Sequence, residues 1–279
     1  MKTIKLTILL FSLAPLPLAM AMAAETNIDI INNTAQLNDD NNKKIITVLK
    51  KDNQGISHIR YNEFNVGNDG VIFDNKIGSG TIINEVISDS ISELNGEINI
   101  TGKKSRFMLI NPNGIVCASS CNFRNTTQTN LIVGQAMLSD GKKAGRYADS
   151  TSALIIRNST KKIASKLILN SKNIYITNSD FTADSLMFTN IYNHLNGSPS
   201  KNKITIDKDS KIRAKNIKFS TMDTDITNYG FIGGNINGMV INSGLNNPGT
   251  LSGKTLSLKF SGSGGITGDG RVEFDNHDL

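Results

Sequence analysis

Leu167-Ile168-Leu169, Asn173-Ile174-Tyr175-Ile176, Ser185-Leu186-Met187-Phe188 and Ile204-Thr205-Ile206 are short apolar runs, each followed by polar turn residues. Ile217-Lys218-Phe219, Met239-Val240-Ile241 and Leu256-Ser257-Leu258 continue the series. A strand of three or four residues covers too little surface to be stable alone. Repeated without a strict consensus, such strands read as a right-handed parallel β-helix, in which every coil stacks on its neighbour to bury an open face. A β-sandwich accounts for the same runs, but their shortness and drifting spacing favour the solenoid.

The earlier half reads the same way. Ile45-Ile46-Thr47-Val48-Leu49, Val71-Ile72-Phe73, Gly80-Thr81-Ile82-Ile83, Glu97-Ile98-Asn99-Ile100 and Phe107-Met108-Leu109-Ile110 are β-branched or aromatic runs bounded by Asn, Asp, Gly and Ser. No long apolar pattern at helical spacing appears. The abundant asparagine suits tight, left-handed corners and stacked ladders. The expected fold class is all-β.

The first residues read as an export signal. Lys2 and Lys5 precede an apolar stretch from Leu6 to about Met20, and Ala21-Met22-Ala23 gives a small-x-small cleavage pattern. The stretch is short and holds Pro15 and Pro17, a poor membrane span. Cleavage after Ala23 is expected, with an uncleaved anchor as the alternative. It leaves a chain long enough for one large β domain. Loss of the two leader lysines lowers the formal charge from +6 to +4. The basic residues are scattered or paired, as in Lys50-Lys51 and Lys142-Lys143, with no basic helix, so nucleic acid is not an expected partner.

The two cysteines are Cys117 and Cys121. In an exported chain a close pair is read as a disulfide, and the small loop it closes suits a tight hairpin or a solenoid corner. Two thiols make no complete metal site, and His58, His194 and His277 lie far off in sequence, so no metal or cofactor is expected.

Two stretches are unusually specific. One runs from Gly55 to Asn75 and holds Ser57-His58-Ile59-Arg60-Tyr61 and Phe64-Asn65-Val66. The other holds Asn84-Glu85-Val86, Leu94-Asn95-Gly96 and Asn111-Pro112-Asn113-Gly114. In this order they resemble the haemagglutination-activity, or two-partner secretion, domain of filamentous-haemagglutinin-like exoproteins. The likeness covers roughly Asn27 to Gln135. Ile59 departs from it, since the family has Asn there. Cys117-Ala118-Ser119-Ser120-Cys121-Asn122-Phe123-Arg124-Asn125-Thr126 is similar to the cysteine pair of the cytolysin-like branch, with one extra residue between the thiols. The family's second motif, Asn-Pro-Asn-Leu, is not intact. Asn246-Asn247-Pro248-Gly249 comes too late to replace it.

The turn chemistry of Asn111 to Gly114 is readable directly. Pro112 pre-sets its own φ, Asn113 tolerates the next, less common conformation, and Gly114 accepts the exit without a Cβ clash. Such a turn suits a handover between coils. A folding role is expected ahead of direct transporter contact, and a plain structural corner is the bland alternative.

No catalytic constellation stands out. Ser57 and His58 are adjacent, and adjacent strand residues face opposite sides. Asp39-Asp40, and Asp223 with Asp225, are read as solvated carboxylates in turns. Gly264-Gly265-Ile266-Thr267-Gly268-Asp269 has the wrong spacing for a calcium-binding repeat. The chain is therefore read as a non-enzyme.

The resemblance implies a β-helix with an amino-terminal β cap. Together with the leader read at 1–23 and the short-strand repeat, the expected organisation is a secretion-domain core at 24–150 and continuing coils at 151–279 within the same structural domain. The resemblance also implies passage through the periplasm and export through an outer-membrane β-barrel transporter with periplasmic substrate-binding domains, to the cell surface or medium. The expected role outside is adhesion to a host or bacterial surface glycan or protein. The alternatives are a truncated cytolysin or contact-dependent toxin and a β-helix enzyme acting on polysaccharide.

Overall fold

The computed structural model describes residues 25–41, 43–139, 142–148, 152–190, 202–262 and 264–278. The leader at 1–23 and His194 lie outside them. Among the described residues every regular element is a strand. An eleven-stranded sheet runs the whole length, from Asn27–Ile30 to Arg271–Asp278. An eight-stranded sheet and a five-stranded sheet form further walls, and Gln135–Ser139 pairs with Lys142–Ala148 as a separate antiparallel hairpin.

Antiparallel pairing within these walls is confined to the amino-terminal end. Asn27–Ile30 runs against Ile56–Asn65, and Ala35–Asp40 against Lys43–Val48. All later pairings in the three walls are parallel. The antiparallel strands cap the stack and cover its first sheet edge, which would otherwise template unwanted pairing. Asn32 latches the cap to the first coil. Its Nδ2 donates to the His58 carbonyl at 2.9 Å, and its Oδ1 accepts from the Arg60 amide at 3.2 Å. The expected parallel β-helix with an amino-terminal cap is the observed fold.

Through Thr126–Ile132 each coil visits three walls. One such coil is Thr81–Val86, Ser92–Leu94 and Glu97–Gly102. Beyond it the five-stranded wall ends, and the long-sheet strands lengthen to Asp180–Thr189, Lys211–Met222, Phe231–Ile241 and Thr250–Ser261. Their registers shift between Arg213 and Asn216 and between Gly233 and Ile236. These bulges bend one strand around a corner that two strands formed earlier.

The core is built of columns. Ile59, Asn84, Leu109, Leu131, Leu169, Phe188 and Phe219 lie in consecutive register, all fully buried. Ile59 thus stands where the interior needs an apolar side chain. Beside this column an aromatic chain links Tyr61, Phe64, Phe73, Phe107 and Phe123, with ring centroids 4.9 to 6.3 Å apart. Each fully buried aromatic ring contributes about 1.5–3 kcal/mol of hydrophobic stabilisation.

The acidic pairs are not all in turns. Asp39 and Asp40 end a strand opposite Lys44 and Lys43, and Asp39 meets Lys44 at 2.8 Å. Asp225 lies in the strand Thr224–Asn228 and accepts from Ser243. Facing strands supply partners that sequence distance hides.

Candidate functional site: the stapled coils

The four motifs, far apart in sequence, form one connected network. Strand alternation along Ile56–Asn65 points Ser57, Ile59 and Tyr61 inward and His58 and Arg60 outward. Ser57 therefore cannot work with His58. Its hydroxyl donates to the Lys50 carbonyl at 2.6 Å and meets Ser79 Oγ at 2.5 Å, buried at a corner.

The Ser57-to-Val66 stretch meets Asn84-Glu85-Val86 on both faces of the sheet. Inside, the Tyr61 hydroxyl donates to Asn84 Oδ1 at 2.8 Å, and Asn84 Nδ2 donates to the Met108 carbonyl at 3.2 Å. This pins three coils in sequence. Burial pushes the Tyr61 phenol well above its ordinary value. Outside, His58 Nε2 lies 2.7 Å from Glu85 Oε2, and Arg60 Nε lies 3.4 Å from the same oxygen. Burial pushes the Glu85 carboxyl up. The hydrogen bonds and charges of His58 and Arg60 outweigh it and hold that carboxyl below the ordinary 4.5.

Phe64-Asn65-Val66 meets Leu94-Asn95-Gly96. Val66 bridges Leu94 in parallel, the Val66 amide donates to the Glu93 carbonyl, and the Asn95 amide donates to the Val66 carbonyl. Asn65 Oδ1 accepts from the Glu93 amide at 2.8 Å. Gly96 is required by close approach: a Cβ there would lie 2.1 Å from the Gly67 carbonyl oxygen.

Asn111 to Gly114 joins Ser105–Ile110 in the long sheet to Ile115–Ala118 in the eight-stranded sheet. Asn111 is fully buried. Its Nδ2 donates to the Ser90 carbonyl and Ser92 Oγ, its Oδ1 accepts from the Asn113 amide, and its own amide donates to the Ile132 carbonyl. Asn113 Nδ2 donates to the Ser88 carbonyl at 2.5 Å. Ser88 in turn donates to the Asn62 carbonyl. The turn thus grips the 88–92 loop of the preceding coil and the end of the following one. The left-handed conformation falls on Gly114, with φ 120°, and Asn113 contributes its side chain instead.

Cys117 and Cys121 are joined, with Cα atoms 5.4 Å apart. The bond spans the corner from Ile115–Ala118 to Asn122–Arg124, through Ser119 at φ 51°. Among the described residues no group of three or more His, Cys, Asp or Glu is placed to hold a metal.

The sequence reading missed the pairings His58–Glu85 and Asn65–Glu93. No sequence signal marks these pairs, since residues stacked in one register column, such as Ser57, Ile82 and Phe107, do not match in type.

Comparison with known proteins agrees with this geometry. Residues 24–123 match the family described as TPS secretion domain. A hemolysin of Proteus mirabilis is 33% identical over 122 residues, covering 37% of this chain and 8% of that protein. A tRNA nuclease CdiA of Yersinia mollaretii is 32% identical over 157 residues, covering 48% of this chain and 5% of that protein. The chain thus spans under a tenth of these relatives' length. The crystal structure of a filamentous hemagglutinin secretion domain shares the fold, with TM-score 0.71 and 15% identity over 90% of this chain and 98% of that one. TPS secretion domains engage an outer-membrane transporter, and exoproteins that carry them are exported to the cell surface or the medium. Residues 24–123 are thus similar to a TPS secretion domain, set in a chain that shares the fold of a filamentous hemagglutinin secretion domain.

Proposed function

We propose that the four motifs are a folding staple for export, and that the exported chain is an adhesin. One observation carries the first part: Ser57, Tyr61, Asn84 and Asn111 are fully buried and hydrogen-bonded across coils. Side chains so buried are out of a partner's reach once the coil has closed. An outer-membrane β-barrel transporter with periplasmic substrate-binding domains meets them only while the chain is unfolded. Outside, closing the staple commits the first coils. Each further coil then buries apolar surface on a finished one and opposes return, with no nucleotide required.

Adhesion fits a solenoid whose walls are long and whose chain lacks a catalytic cluster in the sequence. The names hemolysin and tRNA nuclease among the relatives keep a toxin fragment as the second reading. Coexpression with and without the cognate transporter tests export: the protein should reach the medium only with it. Equal release without any transporter overturns the proposal. Asn111→Ala should lower release while leaving transporter binding of the unfolded chain intact. Cell attachment by the purified protein supports the adhesin, whereas red-cell lysis or RNA cleavage supports the toxin.

A further inference from the structure

The corners at Ser210, Gly230, Gly249 and Gly270 fall above one another in successive coils. Ser210 O accepts from Phe231 N, Gly230 O from Thr250 N, and Gly249 O from Arg271 N. A Cβ on Gly230, Gly249 or Gly270 would lie 2.1 to 2.3 Å from a carbonyl oxygen of the coil before. Only glycine closes the last three of these corners, so the wall there is bare backbone. The result is a solvent-open hollow of about 430 Å³ that crosses four coils. Three strand spacings of ~4.8 Å make it about 14 Å long.

Bare backbone alone would be a structural by-product. The rim gives it chemistry. Lys208, Lys211, Asp269 and Arg271 line it, with Lys208 paired to the neighbouring Asp209 at 3.0 Å, so Lys211 and Arg271 supply the cations. Tyr229 stands at the same corner, 50% exposed, with an apolar ring face and a polar tip. Phe231 divides this hollow from a second one lined by Arg213 and Lys215. Its ring lies against Gly233, where a Cβ would meet it at 2.6 Å, and Arg213 sits 5.4 Å over its centroid. Arg213 is itself paired with Asp180. The groove therefore combines an elongated trough, whose bare glycine corners repeat from coil to coil, with the rings of Tyr229 and Phe231 and the cations Lys211 and Arg271. A ligand that repeats along its own axis, offers sugar-like polar edges and apolar ring faces, and carries negative charge matches each of these.

We propose that this groove binds a linear acidic polysaccharide, whose sugar rings carry carboxylate or sulfate. The proposal deepens the adhesin reading and rests on it for where the groove is presented. The folded mature chain, titrated calorimetrically with polygalacturonate fragments, dextran sulfate and neutral dextran, tests it. Saturable binding of an anionic chain and none of dextran is expected, and which anionic chain binds decides between carboxylate and sulfate. Lys211→Glu with Arg271→Glu should weaken that binding roughly tenfold or more, and Tyr229→Ala several-fold, with the thermal midpoint unchanged. Binding unchanged in both variants, binding of neutral dextran alone, or no binding at all overturns the groove. Polysaccharide binding without cell attachment would instead sink only the adhesin reading, so the two failures are distinguishable.

Discussion

Glu85 shows how a single residue couples two coils. Its carboxylate takes His58 and Arg60 from the neighbouring strand, and its pKa is held below the ordinary 4.5. A carboxyl whose folded pKa is depressed adds stability above its unfolded value. That stability is lost as pH falls through the folded value. In urea titrations, wild type should therefore exceed Glu85→Gln near neutrality, and the gap should close as pH drops below 4.5. A gap constant down to the most acid pH would show that the charge contributes nothing. Gly96 is a second case. With a Cβ placed 2.1 Å from the Gly67 oxygen, Gly96→Ala must push two coils apart, at a cost of at least about 2 kcal/mol. An unchanged unfolding midpoint would refute that.

At the scale of elements, the corners carry the specificity. Strands Ser105–Ile110 and Ile115–Ala118 would pair with many partners, but the Asn111-to-Gly114 turn between them is held at four points of the neighbouring chain. The next corner is closed by the Cys117–Cys121 bond, at a separation of only four residues. A ring so small removes little chain entropy, about 2 kcal/mol. Cys117→Ser with Cys121→Ser should lower stability by that amount and leave the fold in place, as read by denaturation and circular dichroism. Complete loss of folded protein would mean that the bond is needed to nucleate the stack.

Over the whole molecule, the specific devices crowd the amino-terminal end. The cap, the four motifs, the aromatic chain and the disulfide all lie between Asn27 and Ile132. The later coils rely on repeated columns such as Leu169, Phe188 and Phe219. Folding should begin where the order is densest and spread along the stack. Phe107→Ala should therefore slow refolding, while Phe219→Ala should mainly hasten unfolding, each at about 3–5 kcal/mol of stability. Stopped-flow chevrons read both, and the reverse pattern would place the nucleus in the later coils.

The sequence by itself determined the class of structure and the likeness of its first half to a secretion domain. Short β-branched runs between asparagine-rich corners allow little but a stacked solenoid, because each run must borrow its neighbour to bury a face. The ordered motifs marked the secretion domain because their residue types are tied to particular turns. Only the tertiary structure decided what those motifs do. His58 and Glu85, or Asn113 and Ser88, meet because coils bring together residues some 25 apart, and the coil length varies too much to be read from one chain. The trough beside Tyr229 was equally out of reach. Gly230, Gly249 and Gly270 look like ordinary turn residues until stacking aligns them in one trough beside Lys211, Tyr229 and Arg271.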